Sequence, residues 1–289
     1  MKKATTYEEQ LARLKSRGMI IDIGDDIALS KLSDIGYYRL GFFFFPFETT
    51  YPNLHNRTHK FKDESKISHV LELHSFDSDL RSMLLFYLNR IEINFRTKLI
   101  YECSHFYIDD PLWYINDKYV YINIVEEIKK EYDKKIRKFG VIKCHHKQHV
   151  GVYAPAWKTL EFITFGKALD LYSNLTDNEL KNRISKLFGI NSFSVLENYF
   201  TLFVSIRNIC AHNNTLFDYN LPKSIKSGPA LKATPTNCFK LNSVFLAIEY
   251  ILSQISNECA VNFNEEIEGL FETYKSVPII VELVANKIK

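Results

Sequence analysis

Residues 76–102 read FDSDLRSMLLFYLNRIEINFRTKLIYE. Neither proline nor glycine occurs in them, nor anywhere between Phe61 and Asp110. Val70, Leu71, Leu73, Phe76, Leu80, Leu84, Leu88 and Ile91 recur at spacings of three and four. That period puts them on one face of an α-helix. The pattern predicts one very long helix, or two end to end, closed by Pro111.

The flanking sequence extends this reading. Thr6 is placed to cap a first helix, with Leu11 and Leu14 on one face and Gly18 at its end. A short helix follows over Asp26–Ile35. The aromatic run Tyr37–Phe47 reads either as a strand, by propensity, or as a buried helix stopped at Pro46. Residues 48–57 read as a loop. Further on, 123–139 predicts a helix charged on its outer side, 140–154 a loop, and Trp157–Leu171 a helix. Asp177 is placed to cap a helix running to Phe188. Ser192 is placed to cap another, whose apolar face carries Val195, Leu196, Tyr199, Phe203 and Ile206. Pro222, Gly228, Pro229 and Pro235 make 221–236 a loop. Helices are expected again over 237–257 and 264–274, and Pro278 can start a last one. The expected fold class is all-α.

Composition agrees. Ten glycines and eight prolines in 289 residues are too few for a turn-rich β fold. With 46% hydrophobic residues the chain can bury a full core. A net charge of +3 permits an anionic partner without demanding one. The five cysteines (Cys103, Cys144, Cys210, Cys238, Cys259) form no CxxC pair and read as reduced intracellular thiols. MKKATTYEEQ has no apolar segment behind its lysines, and Phe42–Phe45 is far too short to span a bilayer. The expectation is a cytoplasmic protein without a membrane partner.

The chemistry concentrates in Ser205–Asn214, SIRNICAHNN. On an ideal helix Arg207 and His212 point about 140° apart, whereas Asn208 and His212 share a face. Asn213 tolerates the left-handed conformation that ends helices, which puts His212 in the last turn. Three arrangements would let Arg207 and His212 serve one phosphate. The helix unwinds near Asn213, the arginine reaches around, or a second copy of the helix faces the first in a symmetric dimer. Histidine can take and return a proton near neutral pH, and arginine binds phosphate oxygens through a fork of N–H donors. No protein nucleophile accompanies them, but RNA supplies one in its 2′-hydroxyl. Attack there would leave a 2′,3′-cyclic phosphate and would exclude DNA. The plain alternative is a helix C-terminus, where Arg and His are favoured by the dipole.

Four other groups stand out. Glu92 and Arg96, near Arg90, are four apart and can pair, either as a salt bridge on a bundle helix or as a buried pair that orients the catalytic helix or touches RNA. Lys129, Lys130, Lys134, Lys135, Arg137, Lys138, Lys143 and Lys147 form a basic stretch, read as a solvated face or as a grip on RNA phosphates. Cys144–His149, CHHKQH, has no second cluster at zinc-finger spacing, so it reads as a mobile loop rather than a metal site. Tyr37, Tyr38 and Phe42–Phe45 could stack bases, but core or dimer packing is the commoner use.

RNICAH fits R-N-x-x-x-H and resembles the signature of HEPN ribonucleases. The blocks TYEEQLARLKSRGMIID, LSDIGYYRLGFFFFPF, FDSDLRSMLLFYLNRIEINFRTKLIYE, APAWKTLEFITFGKALDLYSNL and VLENYFTLFVSIRNICAHNNTLF run in order from about residue 6 to 217. Together they resemble the Abi family, the Abi-like proteins of bacterial abortive infection related to the D and F types. The resemblance implies a single Abi-like domain over 1–289: an N-terminal helical segment (1–60), a HEPN core (61–220), and a loop with C-terminal helices (221–289). It implies a homodimer in which two R-N-x-x-x-H helices build one ribonuclease site, with Arg207, Asn208 and His212 as catalytic residues and Glu92 and Arg96 in support. It further implies phage defence by RNA damage and growth arrest, with no metal and no cofactor. RNA is the expected partner, as substrate and as a possible inhibitor, alongside an antitoxin or a phage trigger. Two rivals remain open. One is a helical dimer that holds a structured or antitoxin RNA without cutting it, and the other is an interaction protein acting on host or phage factors.

Overall fold

A computed structural model describes residues 3–231 and 238–288. In chain order the helices are α1 (Tyr7–Ser16), α2 (Asp25–Ile35), α3 (Tyr37–Phe44), α4 (Ile67–Phe106), α5 (Ile122–Lys134), α6 (Gly140–Gln148), α7 (Ala156–Thr159), α8 (Phe165–Ser173), α9 (Asn178–Lys186), α10 (Phe193–Ala211), α11 (Leu241–Ser253), α12 (Asn257–Thr273) and α13 (Pro278–Leu283). Short 3₁₀ turns join several of them. Among the described residues there is no strand, only isolated bridges such as Glu48 with Phe61. The fold is all-α. No described helix is long and apolar enough to cross a membrane.

The chain packs as two compact units. One comprises residues 1–83, 209–219 and 265–289, the other 84–208 and 220–264. In the first unit, Thr6 and Glu9 form a reciprocal capping box that starts α1, and Leu11 and Leu14 are buried. Gly36, at φ 91°, separates α2 from α3 and lets the aromatic run begin as a helix. Phe43, Phe44, Phe45 and Phe47 are buried, and the Phe43 ring meets Phe217 at 5.5 Å and His74 at 5.0 Å. Phe76, on the first half of α4, meets Tyr274 at 5.5 Å.

The second unit gathers its core around Phe95, whose ring meets Phe200 at 4.8 Å and Tyr172 at 5.6 Å. The loop before α7 is tied inward, where Tyr114 Oη donates to the Ala154 carbonyl (2.8 Å). Gly189 ends α9 in the left-handed region (φ 65°), with Ile190 N–H donating to Ser185 O (3.3 Å) and Gly189 N–H to Lys186 O (3.0 Å). A Cβ there would sit 2.3 Å from Tyr250 Oη, which donates to the Gly189 carbonyl at 2.9 Å. Gly189→Ala is therefore expected to cost about 2–4 kcal/mol, from an unfavourable φ plus overpacking. A urea titration should show a clearly lower midpoint, and an unchanged midpoint would refute this account.

Several expectations need correcting. Residues 140–148 form α6 rather than a loop, because Ile142 and His145, three apart, bury one narrow face. Residues 157–171 are not one helix. Ile163 is extended, its carbonyl accepts from Arg96 Nη2 (3.1 Å), and Thr164 caps the new helix α8 by accepting from Lys167 N–H (3.3 Å). The helix expected over 264–274 begins earlier, at Asn257. The one expected over 237–257 is α11, at 241–253; residues 232–237, including Pro235 of the expected loop and Asn237, lie outside the described residues. Thr6, Asp177 and Pro278 stand where expected, as two N-caps and a first helical residue.

Candidate active site

The 19-residue α10 carries the motif helix. Leu196, Tyr199, Phe200, Phe203 and Ile206 are buried at helical spacing, which turns Arg207 and Asn208 toward the surface. Within the second unit Arg207 meets a carboxylate from α4. Glu92 is buried, and its Oε1 accepts from Arg96 Nη2 at 2.5 Å. Its Oε2 lies 3.5 Å from Arg207 Nε, an ion pair without hydrogen-bond geometry. Arg207 Nη1 also donates to Asn208 Oδ1 (3.3 Å). One carboxylate thus faces two guanidiniums, which leaves a positive excess, and the Arg207 side chain stays 28% exposed. The Glu92–Arg96 pair is largely buried, not a solvated surface bridge.

His212 belongs to the first unit and lies one residue beyond α10, not in its last turn. Asn213 is left-handed (φ 55°), Asn214 N–H donates to Ile209 O (3.0 Å), and Asn213 N–H donates to Cys210 O (3.3 Å). These are the two bonds of a Schellman closure, with His212 at its C-cap. The imidazole is exposed. Cys210, two residues earlier, is no candidate nucleophile, since burial pushes its thiol up to about 12.

The residues that fix this turn were not singled out in the sequence. Arg81 Nη1 donates to Asn213 Oδ1 (2.8 Å), and Arg81 Nε pairs with Asp77 Oδ2 (2.9 Å). Asp77 Oδ1 accepts the backbone N–H groups of Leu216 (2.7 Å) and Phe217 (2.8 Å). Asp77 is fully buried and Arg81 nearly so. Burial, followed by the charges of Arg39 and Arg81, pushes the nearby His74 imidazole below its ordinary pKa. The available signal was a charged i,i+4 pair inside the apolar stripe of Phe76, Leu80 and Leu84.

The profile of the family described as Abi-like protein matches residues 30–218. The chain belongs to the Abi-like protein family. That membership points to a role in abortive infection. The matched stretch contains Asp77, Arg81, Glu92, Arg96, Arg207, Asn208 and His212, and it stops before α11. No curated protein and no solved structure matched.

The basic stretch of this Abi-like protein lies on α5, a 3₁₀ turn and α6. Lys130, Lys134, Lys135, Arg137, Lys138, Lys143 and Lys147 are exposed, and Lys129 is half-buried. Arg137 is paired with Asp133, at 3.7 Å. His145 and His146 of CHHKQH are on α6 rather than a loop, and His149 is its C-cap. His145 is buried, and the His146 ring hydrogen-bonds Tyr132 Oη (2.9 Å). Burial, helped by the charge of Arg137, pushes His146 below its ordinary pKa.

Proposed function

We propose that this Abi-like protein is an endoribonuclease that cleaves RNA through attack of the 2′-hydroxyl on the adjacent phosphate, without a metal. The observation that carries this reading is Arg207, a guanidinium tethered to a buried carboxylate that Arg96 already shares, with free donor edge left at the surface. Arg207 would bind the non-bridging oxygens and offset the charge that grows on them. His212 would move the proton between the 2′-hydroxyl and the leaving 5′-oxygen, and Asn208 would orient the substrate. We further propose that two copies pool their R-N-x-x-x-H sets in a homodimer of HEPN type. Phe86, Ile93 and Tyr101, on the same helix as Glu92, are more than half exposed and offer an apolar face for such an association. An activity of this kind damages its own host, so it requires restraint, by an RNA, by an antitoxin protein or through dependence on a phage trigger.

The exposed basic stretch of α5 and α6 favours a second reading, in which the dimer holds a structured RNA and leaves it intact. One experiment separates the two. Purified protein is incubated with total RNA in EDTA beside His212→Ala, and the product ends are mapped. Cleavage that leaves 2′,3′-cyclic phosphates and disappears in His212→Ala supports the nuclease. Tight, salt-sensitive RNA binding without cleavage supports the holding function. Cleavage equal in both proteins removes His212 from the mechanism.

A further inference from the structure

The aromatic run divides into two faces. Phe43, Phe44, Phe45 and Phe47 are core, whereas Tyr38 and Phe42, four apart on α3, are 89% and 58% exposed. These two rings border a cavity of about 340 Å³ in the first unit, within the size range of small-molecule sites. Arg13 of α1, Arg17 at its C-cap, and Arg57 and His59 from the loop after α3 also line it, with Gly41 on the α3 side. The carboxylate among the lining residues is Glu48. It is buried and already committed, accepting from Arg57 Nε (2.9 Å) and Nη2 (2.6 Å), with the His59 ring 3.1 Å away. Burial alone would push the Glu48 carboxyl up, but the bonds and charges of Arg57 and His59 outweigh it and hold it below its ordinary value.

Arg57 is neutralised in that pair and packs over the Phe45 ring, at 4.4 Å. Arg17 donates to Tyr37 Oη (3.0 Å) and meets no carboxylate. Arg13 enters no salt bridge among the described residues. The cavity therefore joins two guanidiniums unpaired with any carboxylate among the described residues to two exposed aromatic faces. Gly41 sits within a helix, where glycine is unfavourable, and a Cβ there would meet nothing within 4 Å. Its missing side chain keeps the space open.

We propose that this cavity binds a nucleoside phosphate, with the base stacked on Tyr38 and Phe42 and the phosphate held by Arg13 and Arg17. Flat aromatic faces accept any base, and guanidinium forks match phosphate oxygens. The same chemistry belongs to a free nucleotide and to the terminal nucleotide of an RNA strand. The inference does not depend on the assignment of Arg207, Asn208 and His212.

The test uses the full chain and calorimetric titration with AMP, pyrophosphate and a single-stranded RNA hexamer. The hexamer is 5′-phosphorylated and 2′-O-methylated, so its own hydroxyls cannot cleave it. AMP or the hexamer should bind saturably, and Tyr38→Ala or Arg13→Glu should weaken binding about tenfold or more. Both side chains are exposed, so folding is spared. Gly41→Leu should abolish binding while raising the unfolding midpoint, an outcome a merely structural glycine would not give. The readout is binding at this cavity rather than RNA cleavage, so failure of the nuclease reading and failure of this one are seen separately. Tighter binding of AMP would support the site as one for free nucleotides, and tighter binding of the hexamer would support it as one for an RNA end. Absence of saturable binding, binding unchanged in Tyr38→Ala and Arg13→Glu, or pyrophosphate binding as tightly as AMP would each overturn the proposal.

Discussion

Asp77→Ala is expected to destabilise the protein by about 3–5 kcal/mol, the usual cost of removing one partner of a buried ion pair. Asp77 satisfies three groups at once: the Arg81 guanidinium and the N–H groups of Leu216 and Phe217. Removing it strands a nearly buried charge and two backbone donors. Asp77→Asn keeps an acceptor for the amides and should lose less. Pairing Asp77→Ala with Arg81→Met should recover part of the loss, because the stranded charge then disappears. Urea titrations of the four proteins measure this directly. A loss under about 1 kcal/mol in Asp77→Ala would mean that the network contributes little. Native-state amide exchange should also accelerate first at Leu216 and Phe217.

Under the proposed nuclease function, Arg207→Ala is expected to lower the RNA cleavage rate by about 10²–10³, the scale seen when a charge-stabilising donor is removed. Stability should hardly change. Arg207 is partly exposed, and Glu92 keeps its 2.5 Å bond from Arg96 when Arg207 is gone. Arg207→Lys retains the charge but not the fork, and should recover only part of the rate. His212→Ala should lose about 10²–10⁴, the range of general acid–base catalysis. If both residues act on one phosphate, the double variant should be little slower than the worse single one. Losses that multiply would place them in separate steps. A melted Arg207→Ala protein would assign the residue to folding instead.

Much of this architecture was legible because it rests on local rules. The 40-residue α4 follows from an unbroken three-and-four spacing, and Thr6, Asp177 and Asn213 announce their helix ends by chemistry alone. The aromatic run was ambiguous because eleven residues rich in Tyr and Phe satisfy both a strand and a buried helix. Gly36 and the partition of buried from exposed rings decide it. CHHKQH looked like a loop because histidines are counted as polar, yet His145 packs inward as an apolar side chain would. The break at Ile163 depends on Arg96, which lies far away in sequence. Asp77 and Arg81 were passed over for the same reason. An Asp–Arg pair four apart is ordinary on a helix surface, and only the amides of residues 216 and 217 reveal its second task. Glu92 and Arg96 stand out by the same spacing and lie within a block that resembles the Abi family.

The closure that carries His212 also has an entropic meaning. Fixing a residue's backbone costs about 1–2 kcal/mol at room temperature, whether it happens during folding or on the arrival of a ligand. Here the Schellman bonds, the Arg81–Asn213 bond and the two amides on Asp77 hold the stretch from Ile209 to Phe217 through backbone and side chain alike. These bonds are in place without any ligand. Substrate binding would then be spared most of that cost, and the imidazole would have only its own side-chain torsions left to settle.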